Sequence, residues 1–183
     1  MAPAHSSRRV FLIGFMGAGK TSVGRALASR LGRQFCDLDE LVERREGKTV
    51  AAIFAEQGEH AFREAESKAL TELLQDGSSG SDLVVALGGG TFAQERNRQA
   101  LESAGAVTIL LEAPLEELHR RCRFGGTIRP LAGDRDRFAE LFKSRHAAYQ
   151  LASHKVNTMN RAVEEVAAEI ESILTAAMPE VKQ

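Results

Sequence analysis

Cysteine is scarce in this 183-residue chain, which carries only Cys36 and Cys122. Two cannot build a disulfide framework, and no second Cys or His lies close enough to either to form a zinc knuckle. An excess of charge of one sign is lacking as well, with 24 Lys and Arg against 25 Asp and Glu. That balance removes any global field favouring nucleic acid or a membrane surface. No stretch approaches the ~18 consecutive apolar residues of a membrane span. The opening MAPAHSSRR has no apolar segment of signal-peptide length, so residues 1–8 read as a frayed tail and the cytoplasm is the expected compartment. Histidines 5, 60, 119, 146 and 154 show neither ligand nor triad spacing, and no serine sits in a nucleophile elbow. Internal repeats and an interdomain linker are missing too. Residues 1–183 are therefore expected to form one domain, with a monomer as the default state.

What is present is concentrated in one short stretch, GFMGAGKT at 14–21, which matches the phosphate-binding loop in full. The apolar run Arg9–Ile13 before it suits a buried strand, and SVGRALASRLG after it repeats apolar positions at helical spacing up to Gly32. Glycines 14, 17 and 19 allow backbone conformations in which successive N–H groups point at phosphate oxygens. The loop then runs into a helix N-terminus, where unpaired amides and the positive dipole end attract anions. Gly17, Ala18, Gly19, Lys20, Thr21 and Ser22 are the expected triphosphate cradle, with Lys20 on the β- and γ-phosphates and Thr21 on Mg²⁺. ATP is the expected nucleotide.

Beyond the loop, short apolar runs alternate with longer amphipathic ones: QFC, LVVAL, AVTILL and KVN each precede a helical pattern. With the first run they make five candidate strands in a βαβα rhythm, an α/β fold whose mainly parallel sheet is covered by helices on both faces. Ligands in such folds bind at the carboxyl ends of the strands. Residues 47–76 form a mostly helical insertion, GSSGSD at 77–82 is a connecting turn, and FGGTIRPLAGD at 124–134 has the composition of a mobile loop.

Several charged groups fall at those strand ends. Asp37 and Asp39 follow the second strand and either serve Mg²⁺ and the acceptor group or cap the helix beginning at Leu38. Gly88-Gly89-Gly90 ends the third strand, either as a tight turn or as a bare surface for a closely approaching ligand. Arg63 and Glu66 share a helix face, as a surface ion pair or as a cation and an acceptor for one small ligand. Arg120, Arg121, Arg123, Arg129, Arg135 and Arg137 crowd residues 120–137, as a solvated basic face or as a lid closing on a triphosphate. Arg145 lies on the next helical pattern, where its guanidinium would clamp a carboxylate.

The ordered set GFMGAGKT, SVGRALA, DLD, FREAE, LGGG, TIRPL and SRHAAY resembles the shikimate kinase family over nearly the whole chain, from about Val10 to Leu174. The resemblance implies a P-loop small-molecule kinase of the nucleoside monophosphate kinase-like fold, with three α/β/α layers, the 47–76 insertion binding substrate and residues 120–137 forming a mobile lid. The implied reaction is ATP-dependent phosphorylation of the 3-hydroxyl of shikimate on the route to chorismate and the aromatic amino acids. Asp39 would bond the attacking hydroxyl and take its proton. Arg63 and Arg145 would hold the substrate carboxylate, Gly88, Gly89 and Gly90 would line the site, and Glu66 would support it. Arg129 and Lys20 would stabilise the phosphoryl group in flight, Thr21 and Asp37 would serve Mg²⁺, and Arg123 would lie near the adenine. Where the family commonly reads Val-Asp-Thr in the adenine loop, this chain has Val156-Asn157-Thr158. A kinase for another small molecule such as gluconate would share the nucleotide site without Arg63 and Arg145 converging, and an inactive nucleotide-binding module would lack Asp39 or Lys20.

Overall fold

The computed structural model describes residues 9–75, 82–124 and 133–176. Twelve elements alternate along these residues. β1 (Val10–Ile13) leads to α1 (Lys20–Leu31), β2 (Gln34–Asp37) to α2 (Leu38–Glu46) and α3 (Val50–Gln75), and β3 (Leu83–Ala86) to α4 (Glu95–Ser103). β4 (Val107–Glu112), α5 (Leu115–Phe124), α6 (Arg135–Tyr149), β5 (His154–Asn157) and α7 (Val163–Ala176) complete the chain.

The five strands form one parallel sheet in the order β2-β3-β1-β4-β5. β1, β3 and nearly all of β4 are buried, as apolar runs covered on both faces must be, while the more polar β2 and β5 take the edges. The chain steps one way from β1 to β2 and the other way from β2 through β3 and β4 to β5. With right-handed crossovers, that reversal puts α1 on one face and the later connecting helices on the other. α7 packs beside α1, where Arg30 donates twice to Glu171 at 2.6 and 2.9 Å, completing three layers.

The same reversal opens a crevice beyond the carboxyl ends of β1 and β3. The phosphate loop leaves β1 there, and Gly88-Gly89-Gly90 leaves β3 beside it. α3 carries the insertion toward this crevice in two helical pieces joined at Gly58, whose φ of 83° and ψ of 173° are open essentially to glycine alone. At the far end of α3, Arg9 donates to the carbonyls of Leu73 and Leu74, each at 2.7 Å. No helix among the described residues is long and apolar enough to cross a membrane. The expected tail at 1–8, the turn at 77–81 and lid residues 125–132, including Arg129, lie outside the described residues.

Candidate active site

The phosphate loop is held open by its glycines. Gly17 has φ of 83°, and a Cβ there would meet the Leu118 carbonyl oxygen at 2.6 Å and Cys122 Sγ at 2.9 Å, so a side chain would be excluded by backbone strain and by packing on α5. α1 starts with no side-chain cap at Gly19 and no acid in its first turn, which leaves its amides and dipole to an anionic ligand. Lys20 Nζ folds over the loop to donate to the carbonyls of Gly14 at 2.8 Å and Phe15 at 3.2 Å.

Asp37 takes the capping role that its sequence position offered and turns its other oxygen to the phosphate loop. One oxygen caps α2, accepting from the Asp39 amide at 3.1 Å, while the other accepts from Thr21 Oγ1 at 2.9 Å. Thr21 and Asp37 thus form one oxygen-rich corner at the start of α1, chemistry suited to Mg²⁺. Among the described residues no group of three His, Cys, Asp or Glu could hold a metal ion alone, so a cation at this corner would complete its shell from phosphate oxygens and water.

Asp39 differs sharply from its neighbour. Its Oδ1 is buried with no hydrogen-bond partner. Burial, and then the nearby negative charges of Glu66 and Asp37, push its carboxyl up to about 6, against the pull of Lys20 and Arg63. A carboxylate with a vacant lone pair and this proton affinity can accept a proton from a hydroxyl placed beside it.

Around the three glycines the predicted substrate groups gather. A Cβ on Gly88 would lie 2.5 Å from Glu66 Oε1 and 2.6 Å from Asp39 Oδ1, and one on Gly90 would lie 2.4 Å from Arg63 Nη1. Arg145 Nη1 stands 3.4 Å from the corresponding point on Gly89. Two guanidinium groups therefore flank consecutive backbone units, beside an unpartnered carboxylate. Glu66, fully buried, accepts from Arg63 at 3.0 Å, from Thr91 Oγ1 at 2.5 Å and from Gln94 Nε2 at 3.1 Å. Arg63 also donates to Glu59 from Nη2 at 3.1 Å and from Nε at 3.3 Å. The Tyr149 hydroxyl donates to the Gly89 carbonyl, and burial holds its phenol up at about 12.

Next to the loop lies a cavity of about 390 Å³ lined by Gly19, Ser22, Arg120, Arg121, Thr158 and Asn160 among others. Its size and place suit the rest of a nucleotide. Arg121 spans its walls, donating to Thr158 Oγ1 at 3.0 Å, to the Thr158 carbonyl at 2.8 Å and to Glu117 at 2.7 Å. Hydrogen bonds from Arg120 and Arg121 hold the Glu117 carboxyl down at about 2. Arg123 stands off this lining, over the Phe124 ring. Asn157 Oδ1 accepts from the Met159 amide at 2.8 Å, a turn-forming bond that a carboxylate oxygen could make equally, so Asn in place of Asp costs the loop no hydrogen bond. A larger cavity of about 810 Å³, between the end of α4 and the start of β4, is remote from these groups and brings no comparable chemistry together.

Residues 16–175 match the family model for shikimate kinase. The chain belongs to the shikimate kinase family. It is 40% identical over 179 residues to a shikimate kinase of Salinibacter ruber, across 92% of this chain and 85% of the relative. Another, from Symbiobacterium thermophilum, is 43% identical over 166 residues, covering 88% of this chain and 92% of its own. The solved shikimate kinase from Acinetobacter baumannii in complex with shikimate superimposes with a TM-score of 0.82 at 32% identity, covering 96% of each chain. The parallel five-stranded sheet and three-layer P-loop architecture expected from the sequence are thus both observed and shared with the family.

Sequence reasoning overlooked Thr91 and Gln94, and took Arg121 only as one of six arginines of a lid or basic face. Thr91 and Gln94 act on a residue 25 and 28 positions earlier, a relation that no spacing pattern encodes. Arg121 had a readable signal, because it follows Glu117 by four residues on a helix and pairs with it.

Proposed function

We propose that this chain transfers the terminal phosphoryl group of ATP to the 3-hydroxyl of shikimate, a step in aromatic amino acid biosynthesis. The observation that carries the reading is the pairing of Arg63 and Arg145 with the unpartnered Asp39 around Gly88–Gly90, beside a complete phosphate loop. A small hydroxylated carboxylate needs this combination of cations for its acid group and an acceptor for its hydroxyl.

In this reading Gly17, Ala18, Gly19, Lys20, Thr21 and Ser22 hold the triphosphate through amides, ammonium and hydroxyls. The Thr21 hydroxyl and, through water, Asp37 would hold Mg²⁺, which would supply neutralisation of the phosphate charge. Arg63 and Arg145 clamp the substrate carboxylate, Gly88, Gly89 and Gly90 offer it a bare backbone surface, and Glu66 fixes Arg63. Asp39 accepts the proton of the attacking hydroxyl as its oxygen bonds to phosphorus and the bond from phosphorus to the ADP oxygen breaks. Lys20 and Arg129 stabilise the phosphoryl group as it passes. Arg123 is kept on the adenine side as an outer group, with Arg121 lining the cavity itself. The same reading takes the enzyme to be a cytoplasmic monomer, the latter checked by size-exclusion chromatography.

The decisive experiment measures ADP release by the purified protein with ATP and Mg²⁺, with shikimate, gluconate or no acceptor added. Release that depends on shikimate is the expected outcome. Release with gluconate alone would leave the phosphate loop standing and overturn the substrate reading.

A further inference from the structure

Thr91 is fully buried one residue beyond the glycine turn, and its place is heavily determined. Its amide donates to the Gly88 carbonyl at 3.1 Å, and its own carbonyl accepts from Asn97 Nδ2 at 3.0 Å, with Asn97 itself buried. With the backbone fixed at both ends, the hydroxyl donates to Glu66 Oε1 at 2.5 Å. The other oxygen of that carboxylate accepts from Arg63 Nη1 at 3.0 Å and Gln94 Nε2 at 3.1 Å. Gln94 is oriented in turn by Arg96, whose Nη2 donates to Gln94 Oε1 at 3.0 Å and to the Arg63 carbonyl at 3.1 Å.

Glu66 thus has its two oxygens divided between different duties. Without a donor on Oε1, the carboxylate is held through Oε2 alone, about a terminal torsion that is intrinsically broad. Arg63 would then lose the fixed acceptor that sets its guanidinium against Gly90. We propose that the Thr91 hydroxyl, with Gln94 as its counterpart on the opposite oxygen, is a positioning group for substrate binding: it locks Glu66 so that Arg63 is pre-set for the substrate carboxylate. The inference rests on the assignment of Arg63 to that carboxylate.

The test is Thr91→Val, which removes the hydroxyl at nearly constant volume, measured beside Thr91→Ser, Arg63→Ala and the double variant Thr91→Val/Arg63→Ala. Losing a hydrogen bond to a buried charged group is expected to raise KM for shikimate about tenfold in Thr91→Val, with kcat within about twofold and KM for ATP unchanged. Thr91→Ser restores the wild-type KM. In the Arg63→Ala background the Thr91→Val change adds nothing further, because the group it positions is gone. Gln94→Met, at a partly exposed position, shifts the same KM in the same direction and keeps the test alive if Thr91→Val does not fold. An unchanged KM for shikimate in both Thr91→Val and Gln94→Met, an equal rise for both substrates, or full additivity with Arg63→Ala overturns the proposal. If Arg63→Ala itself leaves KM for shikimate unchanged, the assignment of Arg63 fails instead, which separates the two failures.

Discussion

Asp39 Oδ1 and Glu66 Oε1 press on the same α-carbon, each within 2.6 Å of the point where a Cβ on Gly88 would stand. At Asp39 the negative charge of Glu66 adds to desolvation in raising the cost of ionisation.

Asp39→Asn should lower kcat by about a hundred- to ten-thousand-fold, the usual worth of a positioned acid or base. In the wild type, kcat/KM for shikimate should fall below a pH of about 6, as Asp39 protonates, and this acidic limb should vanish in the variant. A steady-state pH profile checks both, and unchanged turnover would remove Asp39 from the chemistry.

The same substitution should stabilise the protein at neutral pH. The folded carboxyl titrates at about 6 against an ordinary 3.8, so the stability it lends is complete below pH 3.8 and lost as pH rises through about 6. At 1.36 kcal/mol per pH unit the loss is about 3 kcal/mol at most. Melting curves should therefore show Asp39→Asn above the wild type at pH 7.5, with the gap closing as pH approaches 4.

Gly90→Ala tests the seat of Arg63. The added methyl would first meet the end of the Arg63 side chain, at 2.4 Å, and the backbone there needs no left-handed conformation. Moving the guanidinium aside breaks its bond to the buried Glu66, so the melting temperature should fall while KM for shikimate rises about tenfold, as expected for a displaced charged hydrogen-bonding group. An unaltered KM would show that Arg63 tolerates displacement without loss of substrate.

Thr21→Val deletes the hydroxyl that Asp37 accepts from at 2.9 Å. Turnover should fall, and the Mg²⁺ concentration for half-maximal rate should rise several-fold. A Mg²⁺ titration at saturating ATP measures this; an unshifted midpoint would take Thr21 out of the metal site.

Arg121→Ala and Arg123→Ala should be compared directly. Arg121 lines the nucleotide-side cavity and joins α5 to Thr158, whereas Arg123 lies off that lining. The larger rise in KM for ATP is expected in Arg121→Ala, with KM for shikimate unaffected in either. The reverse order would favour Arg123 as the arginine beside the base.

The strands and the phosphate loop were legible because their information is local. β1 and β3 are continuous apolar runs, and the loop writes its glycines, Lys20 and Thr21 in one unbroken stretch. Asp37 was legible only as a choice between cap and metal group; the structure shows the cap on one oxygen and the Thr21 hydroxyl on the other. The break at Gly58 was hidden because a single glycine within a helical pattern resembles a tolerated one until its dihedrals are known. Thr91 was hidden more deeply: its partner Glu66 lies on another element, and an uncharged hydroxyl leaves no charge pattern to read.

α6 closes the picture through its two ends. Near its start Phe138 sets its ring edge-on to Phe15, inside the phosphate loop, with centroids 4.9 Å apart, and Phe142 does the same at 5.4 Å. At its last residue Tyr149 is tethered to the Gly89 carbonyl. The twelve residues from Phe138 to Tyr149 span about 16 Å of helix. One helix thus ties the phosphate loop to the glycine turn, so the spacing between the two is set by a length of helix that carries none of the phosphate-loop residues and neither Asp39 nor Glu66.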